Sequence, residues 1–186
     1  AQWQLDGGEW HEAEDILRID NAVRDQLGMF KRTEAFPQPW LTGDQKQETH
    51  SLLLKYTISA QTDVDKVDLA LEDLERAEVC FNGKPINPTE YDHYLDDTIY
   101  RIRLGCLNRG ENILQVRYKF DTNTNLESMY LLGDFGVSVC GYKAVVTPPV
   151  QTIAFGPAER QGLAFYGGSL KYCFAVDIPE AGEAVL

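Results

Sequence analysis

The sequence predicts an all-β fold, an antiparallel β-sandwich behind a short N-terminal extension that contains one helix. Three observations carry this. From Ser51 onward apolar residues recur at every second position, the period of a strand with one buried face. The alternating runs are short, roughly eight to ten of them, and turn residues interrupt them about every ten positions. The long apolar stretch Asn125–Val139 is split by Gly133-Asp134 and has no helical spacing. It reads as a strand over Ser128–Leu132, then a second carrying Phe135, Val137 and Val139, with a bend inside a buried sheet against which the rest packs.

Composition bounds the reading. The chain has 186 residues, 44% of them hydrophobic and 25% charged, enough for one full core in a soluble globular protein. A formal net charge of −12 argues against sequence-independent nucleic-acid binding and against an anionic membrane surface. No apolar run is long enough to span a bilayer. The chain opens at Ala1 without Met and stops at Leu186, so it reads as an excised piece of a larger protein from which an address signal could have been removed. Localisation, cytoplasmic or secreted, therefore stays open. Cys80, Cys106, Cys140 and Cys173 show no CxxC spacing and read as buried or half-buried free thiols.

The elements follow in order. Residues 1–50 form the extension, with Trp3 and Trp10 flanking a turn at Asp6–Glu9. Asp20 or Asn21 is the expected cap of a short helix that carries Ile19, Val23 and Leu27 on one face and stops at Gly28. Phe36-Pro-Gln-Pro-Trp40 is a rigid loop, and the polar tract Thr42–Thr49 is the expected boundary with the sandwich, residues 51–186. Leu52–Ile58, Val67–Leu71 and Val79–Phe81 are strands, the last ending in the hairpin signal Asn82-Gly83. Thr89–Asp97 is an acidic, aromatic loop. Tyr100–Leu104 and Leu114–Phe120 are strands that would pair as a hairpin through Asn108–Glu111. Tyr142–Val146, Val150–Phe155 and Leu170–Val176 complete the set.

Four motifs, in this order, carry a resemblance: Val79-Cys-Phe-Asn-Gly-Lys84, Leu107-Asn-Arg-Gly-Glu-Asn-Ile-Leu114, Asn125–Gly136 and Gln161-Gly-Leu-Ala-Phe-Tyr-Gly-Gly168. Over Ser51–Val176 the chain resembles the galactose-binding-like, jelly-roll β-sandwich domains of large bacterial glycoside-hydrolase-type proteins. The resemblance implies a non-catalytic module that either binds a glycan or braces a neighbouring catalytic domain of a larger chain.

The residues themselves give no catalytic apparatus. Glu72, Asp73 and Glu75 sit on one turn and do not oppose one another across a cleft, as glycosidase carboxylates must. Glu127 and Asp134 lie in the Asn125–Val139 stretch, where Asp134 is expected to accept backbone N–H groups at the bend. His11, His50 and His93 lack ligand spacing, so no metal centre is expected on them. No cofactor is expected; calcium is the one with a foothold, through Asp92, Asp96 and Asp97, and a solvated loop is the plainer account of them. No nucleophile elbow and no GxGxxG motif occurs.

The sharper pattern is basic. Arg101 and Arg103 share one face of their strand, and Arg117 and Lys119 share one face of the next, with Gln115 beside them. If those strands pair, their cations line one sheet face. Arginine and glutamine donors would hold sugar hydroxyls or an acidic sugar, and Trp40, Tyr91 or Tyr94 would stack on the ring. Pairing with carboxylates of neighbouring strands or domains is the plainer alternative.

Overall fold

The computed structural model describes residues 1–31, 48–88, 91–173, 175 and 177. The proline loop that ends at Trp40, most of the Thr42–Thr49 tract, and Phe174 and Val176 lie outside them. The described chain is mostly β, with one α-helix. In order the elements are β1 (Gln2–Leu5), α1 (Ile16–Leu27), β2 (His50–Ala60), β3 (Val64–Leu71), β4 (Ala77–Phe81) and β5 (Lys84–Ile86). They continue with β6 (Asp92–Tyr94), β7 (Asp96–Leu107), β8 (Gly110–Phe120), β9 (Tyr130–Gly133), β10 (Gly136–Cys140) and β11 (Lys143–Thr147).

Alternation sorts these strands into two sheets. A seven-stranded sheet runs β10-β11-β2-β8-β4-β5, with β1 also on β2; a four-stranded sheet runs β6-β7-β3-β9. β1 pairs with Leu52–Lys55, and β11 pairs in parallel with Ser59 and Ala60, so the two share one edge of β2. The remaining pairings are antiparallel. Leu52, Leu54, Val79, Phe81, Leu114, Val116, Tyr118 and Phe120 of the larger sheet meet Val67, Leu69, Leu71, Ile102 and Leu104 of the smaller in one core. Each such side chain contributes about 1.5–3 kcal/mol on burial.

The N-terminal residues enter the same core. Trp3, Ile16, Ile19 and Val23 are buried among the strand residues. The helix ends at Gly28, whose φ of 64° is left-handed, as glycine allows. Its start differs from expectation. Asp15 is the cap, its carboxylate accepting the Leu17 N–H at 3.0 Å. Asp20 instead lies buried inside the helix, 2.9 Å from Arg24 Nε. The Ile16–Ile19–Val23 stripe must face the sheets, and that requires an extra turn before Asp20.

The turn at Asn82-Gly83 is the predicted hairpin, with φ of 48° and 75° at its two residues. The predicted β7–β8 hairpin does not form. β7 pairs with β3 and β6, whereas β8 pairs with β2 and β4. The chain switches sheets at Asn108-Arg109. Asn112, fully buried, holds this crossover: its Oδ1 accepts from the Asn108 N–H at 3.0 Å and from Asn82 Nδ2 at 2.9 Å, and its Nδ2 donates to the Asn108 carbonyl at 2.7 Å. The buried amide replaces the backbone bonds that a hairpin would have made.

The Asn125–Val139 stretch is likewise a crossover rather than a bend inside one sheet. β9 lies at the edge of the smaller sheet and β10 at the edge of the larger, and both are largely exposed. Gly133 and Gly136 allow the corner. A Cβ on Gly133 would fall 2.8 Å from the Phe135 ring, and one on Gly136 would fall 2.8 Å from the Pro148 carbonyl oxygen. Asp134 is exposed there, and no N–H of the described residues donates to it. Two expected strands are absent among the described residues: Val150–Phe155 and 170–173 are irregular, and Phe155 stacks instead on Tyr172, centroids 4.8 Å apart. Thr89–Asp97, expected as a loop, contains β6 and the start of β7.

Candidate functional site

The topology divides the seven residues expected to form one site. Trp40 lies outside the described residues. Arg101 and Arg103 project from the smaller sheet, Gln115 and Arg117 from the larger, on opposite sides of the core. Tyr91 packs edge-on against Tyr100, centroids 5.1 Å apart, beside His93. Tyr100 alternates with Arg101 along β7, so Tyr91 is not part of the arginine face.

On the smaller sheet, cross-strand register aligns Asp92, Arg101, Ala70 and Tyr130 in one row, and Arg103, Asp68 and Leu132 in the next. Asp68 sits on the central strand with its side chain 7% exposed. A carboxylate there is costly unless paired and hydrogen-bonded. Arg101 Nε and Nη2 both reach Asp68 Oδ2, at 2.7 and 2.6 Å. Arg103 Nε contacts Asp68 Oδ1, and its Nη2 lies 3.5 Å from Oδ2. One buried carboxylate therefore holds two guanidiniums that remain 42% and 56% exposed. Nη1 of each makes no hydrogen bond among the described residues.

An aromatic ring shares the row of Arg101, two strands away: Tyr130 on β9. Tyr94, predicted as a stacking residue, meets Tyr130 with centroids 6.1 Å apart at 47°. Tyr130 is 45% exposed. Ala70, between Arg101 and Tyr130 in register, is fully buried. The β6–β7 corner is formed by Leu95, which adopts a φ of 68°, a left-handed conformation that non-glycine residues rarely take. Sequence reading missed Asp68 and Tyr130. A lone acid inside the apolar run Val67–Leu71 was the available signal.

On the larger sheet, Arg117 Nη1 donates to Ser51 Oγ at 2.9 Å, and its Nε is 3.9 Å from the exposed Glu78. Gln115 is half-buried, with no side-chain hydrogen bond among the described residues. Lys55 lies beside it in register and sets its ammonium 4.6 Å from the centroid of Trp10.

The acidic candidates take structural roles. Glu72 and Asp73 are half-buried and grip Asn125: Glu72 Oε2 accepts from its Nδ2, and Asp73 Oδ2 accepts its backbone N–H at 2.8 Å. Burial pushes the Glu72 carboxyl above its ordinary range despite the Asn125 bond, and the charges of Glu127, Asp73 and Asp96 push it further. Asp96 Oδ1 accepts from both the N–H and the hydroxyl of Thr98, at 2.8 and 2.6 Å, which spends one calcium candidate on a turn. Asp92 Oδ1 accepts the His93 N–H at 2.9 Å, and Asp97 is exposed.

His50 pairs with Asp6 at 2.7 Å, and His11 stacks on Trp3 at 3.8 Å. Among the described residues no group of three or more His, Cys, Asp or Glu side chains is placed to hold a metal. Cys80 is half-buried, but Cys106, Cys140 and Cys173 are exposed, against expectation. Cys106 and Cys140 lie on outward positions of their strands, and Cys173 follows the irregular segment. A trough of about 970 Å³ lies elsewhere, between β10–β11 and residues 148–165; none of the expected site residues lines it. No helix among the described residues is long and apolar enough to cross a membrane.

A scan against protein-family models matches none to this chain, and a search of curated proteins returns no match.

Proposed function

We propose that this chain is a non-catalytic carbohydrate-binding-type module of the jelly-roll, galactose-binding-like kind, working beside a glycoside-hydrolase-type domain. The observation that supports this reading is the Arg101–Asp68–Arg103 cluster next to the Tyr94 and Tyr130 rings. Sugars present apolar C–H faces and rings of hydroxyls. An exposed tyrosine face receives the first, and donors fixed in place before binding receive the second at little entropic cost. Asp68 supplies that fixing and leaves one nitrogen of each guanidinium pointing to no partner in the described chain.

Calorimetric titration of the isolated chain with a panel of neutral and acidic oligosaccharides tests this. Binding is expected, and Tyr130→Ala is expected to weaken it about tenfold, or ~1.4 kcal/mol. Flat heats across the panel, or a Kd unchanged in Tyr130→Ala for every sugar that binds, would reject the reading.

A second reading is a bracing domain that docks on a neighbour and never touches sugar. Phe165 favours it, because it lines the trough and is 75% exposed; a large apolar side chain left open beside a groove is a point of contact for a partner. Flat heats together with retained association to an adjoining catalytic domain would favour it.

A further inference from the structure

We propose that the outer face of the seven-stranded sheet is a second, independent binding surface, and that its ligand is a uronate-bearing, anionic sugar chain. The preceding reading and this one share a glycan ligand but no residue, because the two faces lie on opposite sides of the core. Outward positions on β2 and β8 bring Lys55, Arg117 and Lys119 onto neighbouring strands, with Gln115 in register beside Lys55 and Gln2. These three cations stand together in a chain whose net charge is −12.

The acids of this face do not neutralise them. Glu78 is 3.9 Å from Arg117 Nε and its side chain is 70% exposed, a separation at which solvent screens most of the attraction. Glu111 faces the same way but lies six residues along β8 from Arg117, about 20 Å, and four from the level of Lys55, about 13 Å, beyond a Debye length at physiological salt. Asp6 is engaged by His50 and by the Ser51 N–H, at 2.7 Å each.

Trp10 supplies the stacking surface. The bridge between Trp3 and His11 runs the chain alongside β1, and Trp3 and His11 turn inward and stack. Trp10, one residue off that bridge, turns the opposite way and is 42% exposed. The Lys55 ammonium over its ring orients the indole by a cation–π contact. From Trp10 across β1 and β2 to Arg117 on β8 is three strand spacings, about 14 Å, a span suited to a chain of sugars rather than one ring. The indole would take an apolar sugar face. The Gln115 amide would bond hydroxyls, and the Arg117 guanidinium, with Lys55 and Lys119 near it, would take carboxylates.

The test titrates the whole chain with an oligogalacturonate, with a neutral galactan oligosaccharide of equal length, and with single-stranded DNA of equal charge. Binding of the uronate alone is expected, weakening as salt rises. Trp10→Ala and the double variant Lys55→Met/Arg117→Met should each weaken it at least tenfold, while Tyr130→Ala leaves it unchanged. Matching thermal melts for the variants show that the fold is kept. Equal affinity for the neutral chain or for DNA would overturn the proposal, as would unchanged binding in Trp10→Ala. Uronate binding lost in Tyr130→Ala but kept in Trp10→Ala would overturn it and assign the sugar to the smaller sheet. Neutral-sugar binding that depends on Tyr130, with no uronate binding, would overturn it and leave the preceding reading standing.

Discussion

Asp68 and the two arginines above it show how unequal the partners of an ion pair are. Asp68 is nearly covered, whereas Arg101 and Arg103 are half in water. Removing the acid releases two cations that solvent can accommodate, so Asp68→Ala should cost within about 1 kcal/mol of stability. Removing both arginines strands a carboxylate on the central strand, so Arg101→Ala/Arg103→Ala should cost about 3 kcal/mol or more. Urea unfolding of the two variants checks the order. Under the proposed carbohydrate reading, the same substitution of Asp68 should weaken sugar binding, because it frees the donors to move.

Among the elements, α1 and the β7–β8 crossover carry the largest expected effects. Arg24 is buried in the helix and bonds Asp20, the Thr124 carbonyl at 2.9 Å and the Thr122 carbonyl at 3.3 Å, with its guanidinium 5.4 Å from the Phe120 ring. It ties the helix to the turn that follows β8. Arg24→Ala leaves Asp20 buried beside two carbonyls that lose their donor, an expected loss of about 3–5 kcal/mol. The Asp20→Ala/Arg24→Ala double variant should lose less than Arg24→Ala alone, which a double-mutant cycle by urea unfolding measures. Asn112→Ala removes three bonds at the crossover and should cost about 2–3 kcal/mol by the same method.

For the molecule as a whole, two carboxylates give opposite pH dependences. Burial alone would raise Asp121, but the Arg76 side chain, the Asn123 N–H and Thr124 together hold its carboxyl below 3.8, the ordinary value. Its contribution is complete above that value and is lost as pH falls through the lower folded-state pKa. Glu72 runs the other way. Its carboxyl is raised from 4.5, so its contribution is complete below that value and is lost as pH rises through the folded-state pKa. Glu72→Gln should therefore stabilise the protein at neutral pH and make no difference in acid. Asp121→Asn should flatten the acid limb of the stability profile. Thermal melts across pH 2–8 test both, a window that spans the ordinary carboxylate values.

Much of the strand content was legible in the sequence, because burial of one face imposes period two on the residues that form it. Leu52–Ile58, Val67–Leu71, Val79–Phe81, Tyr100–Leu104 and Leu114–Phe120 all lie inside strands of the structure. Gly28 marked the helix end and Asn82-Gly83 the hairpin, since both need left-handed backbone. Which strands would be neighbours was not legible. The turn Asn108–Glu111 reads equally as a hairpin or as a passage between sheets. The choice fell to a buried amide, Asn112, whose partners come from Asn82 and Asn108 together. That choice separated Arg101 and Arg103 from Gln115 and Arg117, and gave the first pair to Asp68 and Tyr130. Periodicity is a property of one strand and its own burial, so sequence alone determined it. Side-by-side placement is a property of strands distant along the chain, so only tertiary pairing could decide it.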